Sequence, residues 1–290
     1  MENEDLYIQI IKRHSFPLEP IPSELTPGKT PVSGGIKISS IKAVFFDIYG
    51  TLFISGSGDA SATEKKIDIE RFGVLLKNYG VRSNPANVLQ RYFDKIKGHH
   101  DFLRLLGVDF PEVQVEKIWM KVLDLQNIQQ AMSFAVEFES IFNPVWPMPG
   151  ALELVKYLGE RGIKMGIISN AQFFTPLLFN ALLGYYIEEI GFCERLLFYS
   201  FKYEHAKPSP FLFCRATLEL SKYNITPGQI LYVGNDILND ILPAAGVGFH
   251  TALFSGDKRS LRLRRDDPRC TGVDPDVTIT DLGELVEYIV

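Results

Sequence analysis

The stretch IKAVFFDIYGTL, residues 41–52, decides how the rest of the chain is read. Its apolar run through Phe46 suits a strand buried on both faces, and the run ends on Asp47 before a turn containing Gly50. Similar runs recur at Ile163 to Ser169, Leu196 to Tyr199, Ile230 to Val233, Thr251 to Phe254 and Val277 to Thr280. Between the later runs, Ala151, Leu154, Val155 and Leu158 fall at helical spacing, and Ser209 followed by Pro210 marks another helix start. Alternating strands and helices predict the α/β class: a Rossmann-like parallel sheet with helices on both faces.

The interval from Leu52 to Trp146 breaks this alternation. Ile69, Phe72, Leu76 and Tyr79, then Val115, Ile118, Trp119 and Val122, recur at helical spacing. A helical cap domain is therefore expected over residues 55–146, with an α/β core domain at 41–54 and 147–290. The glycine-bearing Ser55 to Asp59 and the run Pro144, Pro147, Pro149 and Gly150 would be the connections of a mobile cap. Residues 1–40 hold Pro17, Pro20, Pro22, Pro27 and Pro31, and predict a Pro/Gly-rich N-terminal extension, loosely tethered. Leu6, Ile10 and Ile11 form a short apolar stripe that would otherwise dock on the body or on a second subunit.

Composition narrows the partners. With 290 residues, 46% hydrophobic and 22% charged, the chain can bury a sizeable core, which excludes disorder as its main state. Thirty Lys plus Arg against 35 Asp plus Glu give a net charge of −5, which speaks against nucleic acid as the main partner. Cys193, Cys214 and Cys270 offer no disulfide framework or zinc spacing, so a cytoplasmic setting is expected. The acidic start at Glu2, Glu4 and Asp5 does not resemble a secretory leader, and no run approaches the roughly 20 apolar residues of a bilayer span, so no membrane partner is expected.

Four strand ends carry groups capable of chemistry. Asp47 lies where open α/β sheets bind ligands, and a carboxylate there can attack phosphorus or an activated carbon. Ser169 and Asn170 could donate hydrogen bonds to an oxyanion, Lys207 before Pro208 is a point positive charge, and Asp236 with Asp240 offers oxygen ligands to a hard cation such as Mg²⁺. Each has a plainer reading: turn acid, helix cap, solvated lysine, helix cap. Four coincidences at four strand ends are less economical than one site.

Taken in order, Asp47 to Leu52, Ser169-Asn170, Lys207-Pro208 and Gly234 to Asp240 resemble the motifs of the haloacid dehalogenase superfamily, over residues 41–290. The insert after the first motif and the entry Pro147-Met148-Pro149-Gly150 are similar to members with a helical cap. The resemblance implies Asp47 as nucleophile, with Ser169 and Lys207 holding the transferring group. Tyr49, Gly50, Thr51 and Asn170 would help bind substrate. Asp236 or Asp240, with Asp47 and the backbone carbonyl of Tyr49, would bind Mg²⁺.

Two departures divide the expectation. Phosphatases of the superfamily carry a second aspartate two positions after the nucleophile to protonate the leaving alkoxide, whereas this chain has Tyr49, as the dehalogenases do in Asp-x-Tyr-Gly-Thr. A departing halide needs no proton. Gly234-Asn235-Asp236-x-x-x-Asp240 instead keeps a phosphatase-like carboxylate pair, with Asn235 where many relatives have the first acid and either residue open as the ligand. The leading expectation is Mg²⁺-dependent phosphomonoester hydrolysis of a small metabolite through an aspartyl-phosphate on Asp47. The alternatives are a metal-independent 2-haloacid dehalogenase, with Arg82, Arg91 or Arg104 available to the substrate carboxylate, and a catalytically silent binding protein. His99-His100 reads as a solvated pair that would otherwise contact substrate or accept a proton, Trp119 and Trp146 as core rather than substrate platforms, and the arginine-rich run Lys258 to Arg269 as a solvated loop that would otherwise grip an anionic partner.

Overall fold

The computed structural model describes residues 2–25, 27–29, 40–58 and 67–289. The chain begins with α1 (Glu2–His14), β1 (Gly28–Lys29), β2 (Ala43–Phe46) and β3 (Phe53–Ser55). Four helices follow, α2 (Ile69–Asn78), α3 (Pro85–Leu105), α4 (Val115–Val122) and α5 (Ile128–Phe142), before β4 (Val145–Pro147). Alternation then resumes with α6 (Ala151–Glu160), β5 (Lys164–Ser169), α7 (Leu177–Leu183), β6 (Phe192–Tyr199), α8 (Ser200–Tyr203) and α9 (Phe211–Ser221). It closes with β7 (Ile230–Gly234), α10 (Leu242–Gly246), β8 (His250–Phe254), β9 (Val277–Ile279) and α11 (Val286–Ile289).

The main sheet has the order β1-β9-β8-β7-β2-β5-β6, parallel throughout except for β1 at the edge. β2 is central, with Phe46 in register with Ile167 of β5 on one side and Val233 of β7 on the other. That register brings Asp47, Ser169 and Gly234 to one edge of the sheet. Alternate residues feed opposite layers: Val44, Phe46, Ile167 and Val233 join one apolar cluster, and Ala43, Phe45, Ile168 and Tyr232 the other. Both faces are covered, which is why these strands read as continuous apolar runs. β6 starts four residues before the expected Leu196, because its first part pairs with β5 across a register shift and includes the polar Glu194 and Arg195. No helix among the described residues is long and apolar enough to cross a membrane.

Helices α2 to α5 pack around a separate aromatic cluster. Tyr92 stacks on Trp119 with centroids 4.0 Å apart, and Phe72, Phe134 and Phe138 surround the pair. The paths out of the sheet and back are paired: β3 and β4 form a two-stranded antiparallel ribbon with Phe53 opposite Pro147 and Ser55 opposite Val145. Of the expected connection Ser55 to Asp59, Asp59 lies outside the described residues.

The N-terminal helix corrects the expectation of a loose arm. Its prolines start only at Pro17, so nothing interrupts α1, and Tyr7, Ile8, Ile10 and Ile11 are buried against α5 and α7 while Leu6 faces outward. Tyr7 Oη donates to Gln129 Oε1 at 2.8 Å, and His14 lies 3.3 Å from Glu137. The following segment is also tied down, with Ile21 N donating to Asp257 Oδ1 and Lys258 N to the Ile21 carbonyl.

Candidate active site

The site grows from the end of β2. Asp47 Oδ1 accepts a hydrogen bond from Lys207 Nζ at 2.7 Å; the same ammonium donates to Asp240 Oδ1 at 2.5 Å and to Tyr232 Oη at 3.0 Å. All three ammonium protons are used, and the Lys207 side chain is 3% exposed. Burial pulls this amine down, but Asp240 and Asp47 outweigh burial and hold it above its ordinary value. The backbone of Lys207 is clasped by Asn170, whose Oδ1 accepts from Lys207 N at 2.7 Å and whose Nδ2 donates to the Lys207 carbonyl at 3.2 Å. The Asn170 amide therefore positions the lysine.

Two glycines make the close approaches feasible. A Cβ on Gly234 would lie 2.4 Å from Asp240 Cγ, so only glycine lets that carboxylate fold back onto the end of β7. Gly50 has φ +82°, and a Cβ there would meet Ser260 Cβ at 2.4 Å and Asn235 Nδ2 at 2.8 Å. Beside it, Thr51 Oγ1 donates to Asn235 Oδ1 at 3.1 Å.

The donors around Asp236 and Asp240 decide what these two acids can do. Asp240 receives Lys207 on Oδ1, beside the Tyr232 hydroxyl whose one proton is shared with the Ile168 carbonyl, and the amides of Asn235 and Asp236 on Oδ2. Asp236 caps the turn at residues 237–241 through Leu238 N and Asn239 N, takes Asn239 Nδ2, and is gripped by Arg264 through Nε at 3.0 Å and Nη2 at 2.6 Å. A carboxylate offers about four lone-pair sites, so both acids are saturated. Among the described residues no group of three or more His, Cys, Asp or Glu is arranged to hold a metal. A divalent cation needs open oxygens, and Asp47 is the one carboxylate of the three with an oxygen that no described residue engages. As arranged, Asp236 and Asp240 have no oxygen open to Mg²⁺ until Arg264 leaves Asp236, whereas Asp47 keeps one.

Tyr49 is equally committed. Its hydroxyl lies 3.0 Å from Thr175 Oγ1, and burial, then Glu139 and Asp47, push the phenol above its usual range against the opposing Thr175 hydrogen bond. This hydroxyl is not poised to donate a proton to a leaving group.

A cleft of about 70 Å³ is lined by Asp47, Tyr49, Asn170, Lys207, Asn235, Asp236 and Asp240. Ser169, Gly50 and Thr51 are not among its lining residues; Ser169 is buried and donates to the Asn170 carbonyl at 3.3 Å. Three lining residues, Ser260, Arg262 and Arg264, come from the run expected to be a solvated loop. That run is instead clamped to the site: Ile237 N donates to the Arg262 carbonyl and Arg262 N to the Asn235 carbonyl, both at 2.9 Å, and Arg262 Nη2 reaches the Gly58 carbonyl at 2.7 Å. The available signal was position, since the run follows β8 at the same sheet edge.

A haloacid dehalogenase-like hydrolase model matches residues 41–248. The chain belongs to the haloacid dehalogenase-like hydrolases. Among curated relatives of this hydrolase, the glyceraldehyde 3-phosphate phosphatase of Pyrococcus furiosus is 23% identical over 254 residues, covering 86% of this chain and 93% of that one. The ribulose-1,5-bisphosphate 5-phosphatase of Halopiger xanaduensis is 28% identical over 144 residues, so the match spans only 49% of this chain and 56% of that relative. In fold, the hydrolase is similar to a 2-haloacid dehalogenase from Pseudomonas syringae pv. Tomato, with a TM-score of 0.56 at 18% identity, covering 86% and 97% of the two chains.

Proposed function

We propose that this hydrolase cleaves the phosphate monoester of a small metabolite, with Asp47 attacking phosphorus. As the Asp47–phosphorus bond forms, the bond from phosphorus to the leaving oxygen breaks, the alkoxide departs with the electron pair and takes a proton from solvent water, and a second water then attacks phosphorus, releasing phosphate and restoring the Asp47 carboxylate. The observation that carries this reading is the Asp47–Lys207–Asp240 arrangement at the end of β2, facing a cleft that also holds Arg262 and Arg264. Lys207 holds Asp47 in place and offsets its charge against the incoming anion, while Asp240, fixed by four donors, holds Lys207. The near full-length match to a phosphatase supports the same chemistry. The three free cysteines suit a cytoplasmic enzyme.

Mg²⁺, which the family resemblance implies, would supply charge neutralisation at the phosphoryl group. Because Asp236 and Asp240 have no open oxygen as arranged, no step is assigned to it. The dehalogenase reading keeps one specific support, Tyr49 at the position of the missing acid. Against it, Arg82, Arg91 and Arg104 line neither of the cavities beside the nucleophile, and Arg104 pairs with Asp101 at 3.0 Å.

Hydrolysis of p-nitrophenyl phosphate, with Mg²⁺ and with chelator, tests the proposal, since that leaving group needs little protonation. The wild-type protein is expected to release p-nitrophenol and Asp47→Asn to lose activity by more than about 10³-fold. Halide release from 2-chloropropionate without phosphatase activity would overturn phosphoryl transfer in favour of dehalogenation. Neither activity, with no adduct on Asp47, would leave a silent scaffold.

A further inference from the structure

A second cavity, of about 230 Å³, lies between helices α3, α4 and α5 and the segment that follows β5. Asn170 lines both this cavity and the Asp47 cleft, so the two spaces border the same residue. They differ in charge. The cleft holds Lys207, Arg262 and Arg264, whereas none of the residues lining the second cavity is Lys or Arg among the described residues. The larger space is walled by Tyr92, Trp119, Phe138 and Phe174, and its ionisable groups include Glu112, Glu139 and His100.

The polar groups there are unevenly satisfied. Glu112 accepts from Val113 N, Gln172 Nε2 and Ser200 Oγ, and burial pushes its carboxyl up to about 7. His100 is held below its ordinary value by burial first and then by Arg104 and His99, so the ring is neutral at pH 7, and its buried Nε2 has no hydrogen-bond partner among the described residues. A neutral imidazole nitrogen shut away from water is satisfied by a ligand hydroxyl, which accepts from it or donates to it according to the tautomer. A second phosphate or a carboxylate would meet acidic groups without a compensating cation.

We infer that the second cavity receives the leaving group of the phosphate monoester, and that this group is an uncharged, hydroxyl-bearing alcohol with a flat apolar face, lacking a second anionic group. The inference rests on the phosphoryl-transfer reading of Asp47. The aromatic wall takes the apolar face, His100 Nε2 and the Glu112 side accept or donate to hydroxyls, and the cations beyond Asn170 take the phosphoryl end.

Two size-matched pairs test it on the full chain: 3-(hydroxymethyl)phenyl phosphate against 3-carboxyphenyl phosphate, and erythrose 4-phosphate against 4-phosphoerythronate. In each pair the uncharged member is expected to have a kcat/KM at least about tenfold higher. His100→Arg, which adds a cation to the wall, is expected to shrink that ratio several-fold, with circular dichroism confirming the fold. The wild-type ratios decide the matter even where the variant misfolds. Turnover of p-nitrophenyl phosphate combined with equal or better use of the anionic members would overturn the cavity assignment while leaving phosphoryl transfer standing. No phosphate release from any ester, p-nitrophenyl phosphate included, would instead remove the reading on which the inference rests.

Discussion

The cleft at Asp47 and the cavity beyond Asn170 border one residue in common and are built in opposite ways. The cleft is made of polar residues at the ends of parallel strands and the loop after β8, each of its three carboxylates answered by a cation: Asp47 and Asp240 by Lys207, Asp236 by Arg264. The cavity is walled by aromatic side chains from separate helices, with His100 Nε2 left unanswered. A space whose charges are internally matched is a fixed electrostatic frame, and one with an open polar atom against apolar walls is a recognition surface. On the proposed function, the contrast separates the part that performs chemistry from the part that selects.

The largest effect is expected where the frame loses its central cation. Lys207→Met leaves Asp47 and Asp240 facing each other while buried, and breaking a buried pair in this way costs about 3–5 kcal/mol. Urea denaturation should show that loss together with abolished p-nitrophenyl phosphate hydrolysis. Unchanged stability would mean that the two carboxylates are not held against Lys207, and the frame would be the wrong description of the cleft.

A smaller effect sharpens the account of the metal. Arg264 supplies two of the donors on Asp236, so Arg264→Gln should free carboxylate oxygens and tighten Mg²⁺ binding by about tenfold or more, read by isothermal titration calorimetry. Equal Mg²⁺ affinity in wild type and variant would show that Arg264 does not control access to that acid. The variant keeps the amides of Leu238 and Asn239 on Asp236, so the turn it caps should persist.

The same contrast explains what could be read from the sequence. Asp47, Ser169 and Gly234 each close an apolar run, and the parallel register of β2, β5 and β7 aligns them, whereas Lys207 arrives only after α8. Period and strand-end position are local signals, so this edge was legible. The fates of individual side chains were not, because they depend on partners distant in sequence: Arg264 with Asp236, Arg262 with the Gly58 carbonyl, Tyr49 with Thr175. His100 read as solvated because its neighbours in sequence are polar, and only the packing of α3 against α4 and α5 encloses its Nε2. The burial of α1 was open in the same way, since its short stripe says nothing of the α5 and α7 surfaces that receive it.

The smallest effect concerns the rim of the recognition cavity, where the segment at residues 110–113 is fastened to the sheet domain. Glu112 N donates to the Glu204 carbonyl and Ala206 N to the Phe110 carbonyl, while the Glu112 carboxyl accepts from Ser200 and Gln172. Burial raises that carboxyl from an ordinary 4.5 to about 7, so between these values the folded protein retains a proton that the unfolded chain has released. Its contribution to stability is therefore complete below about pH 4.5 and lost as pH rises through about 7. The wild-type Tm should gain about 2 °C on Glu112→Gln when both are moved from pH 7.5 to pH 5.5, because glutamine keeps the polar contacts and does not titrate. Taking the difference between the two proteins cancels the opposing titrations of His250 and Asp276, which are common to both. Parallel Tm curves would mean that the carboxyl stays ionised and solvated, and an ionised Glu112 would make the cavity more hostile to a second anion, sharpening its contrast with the cleft.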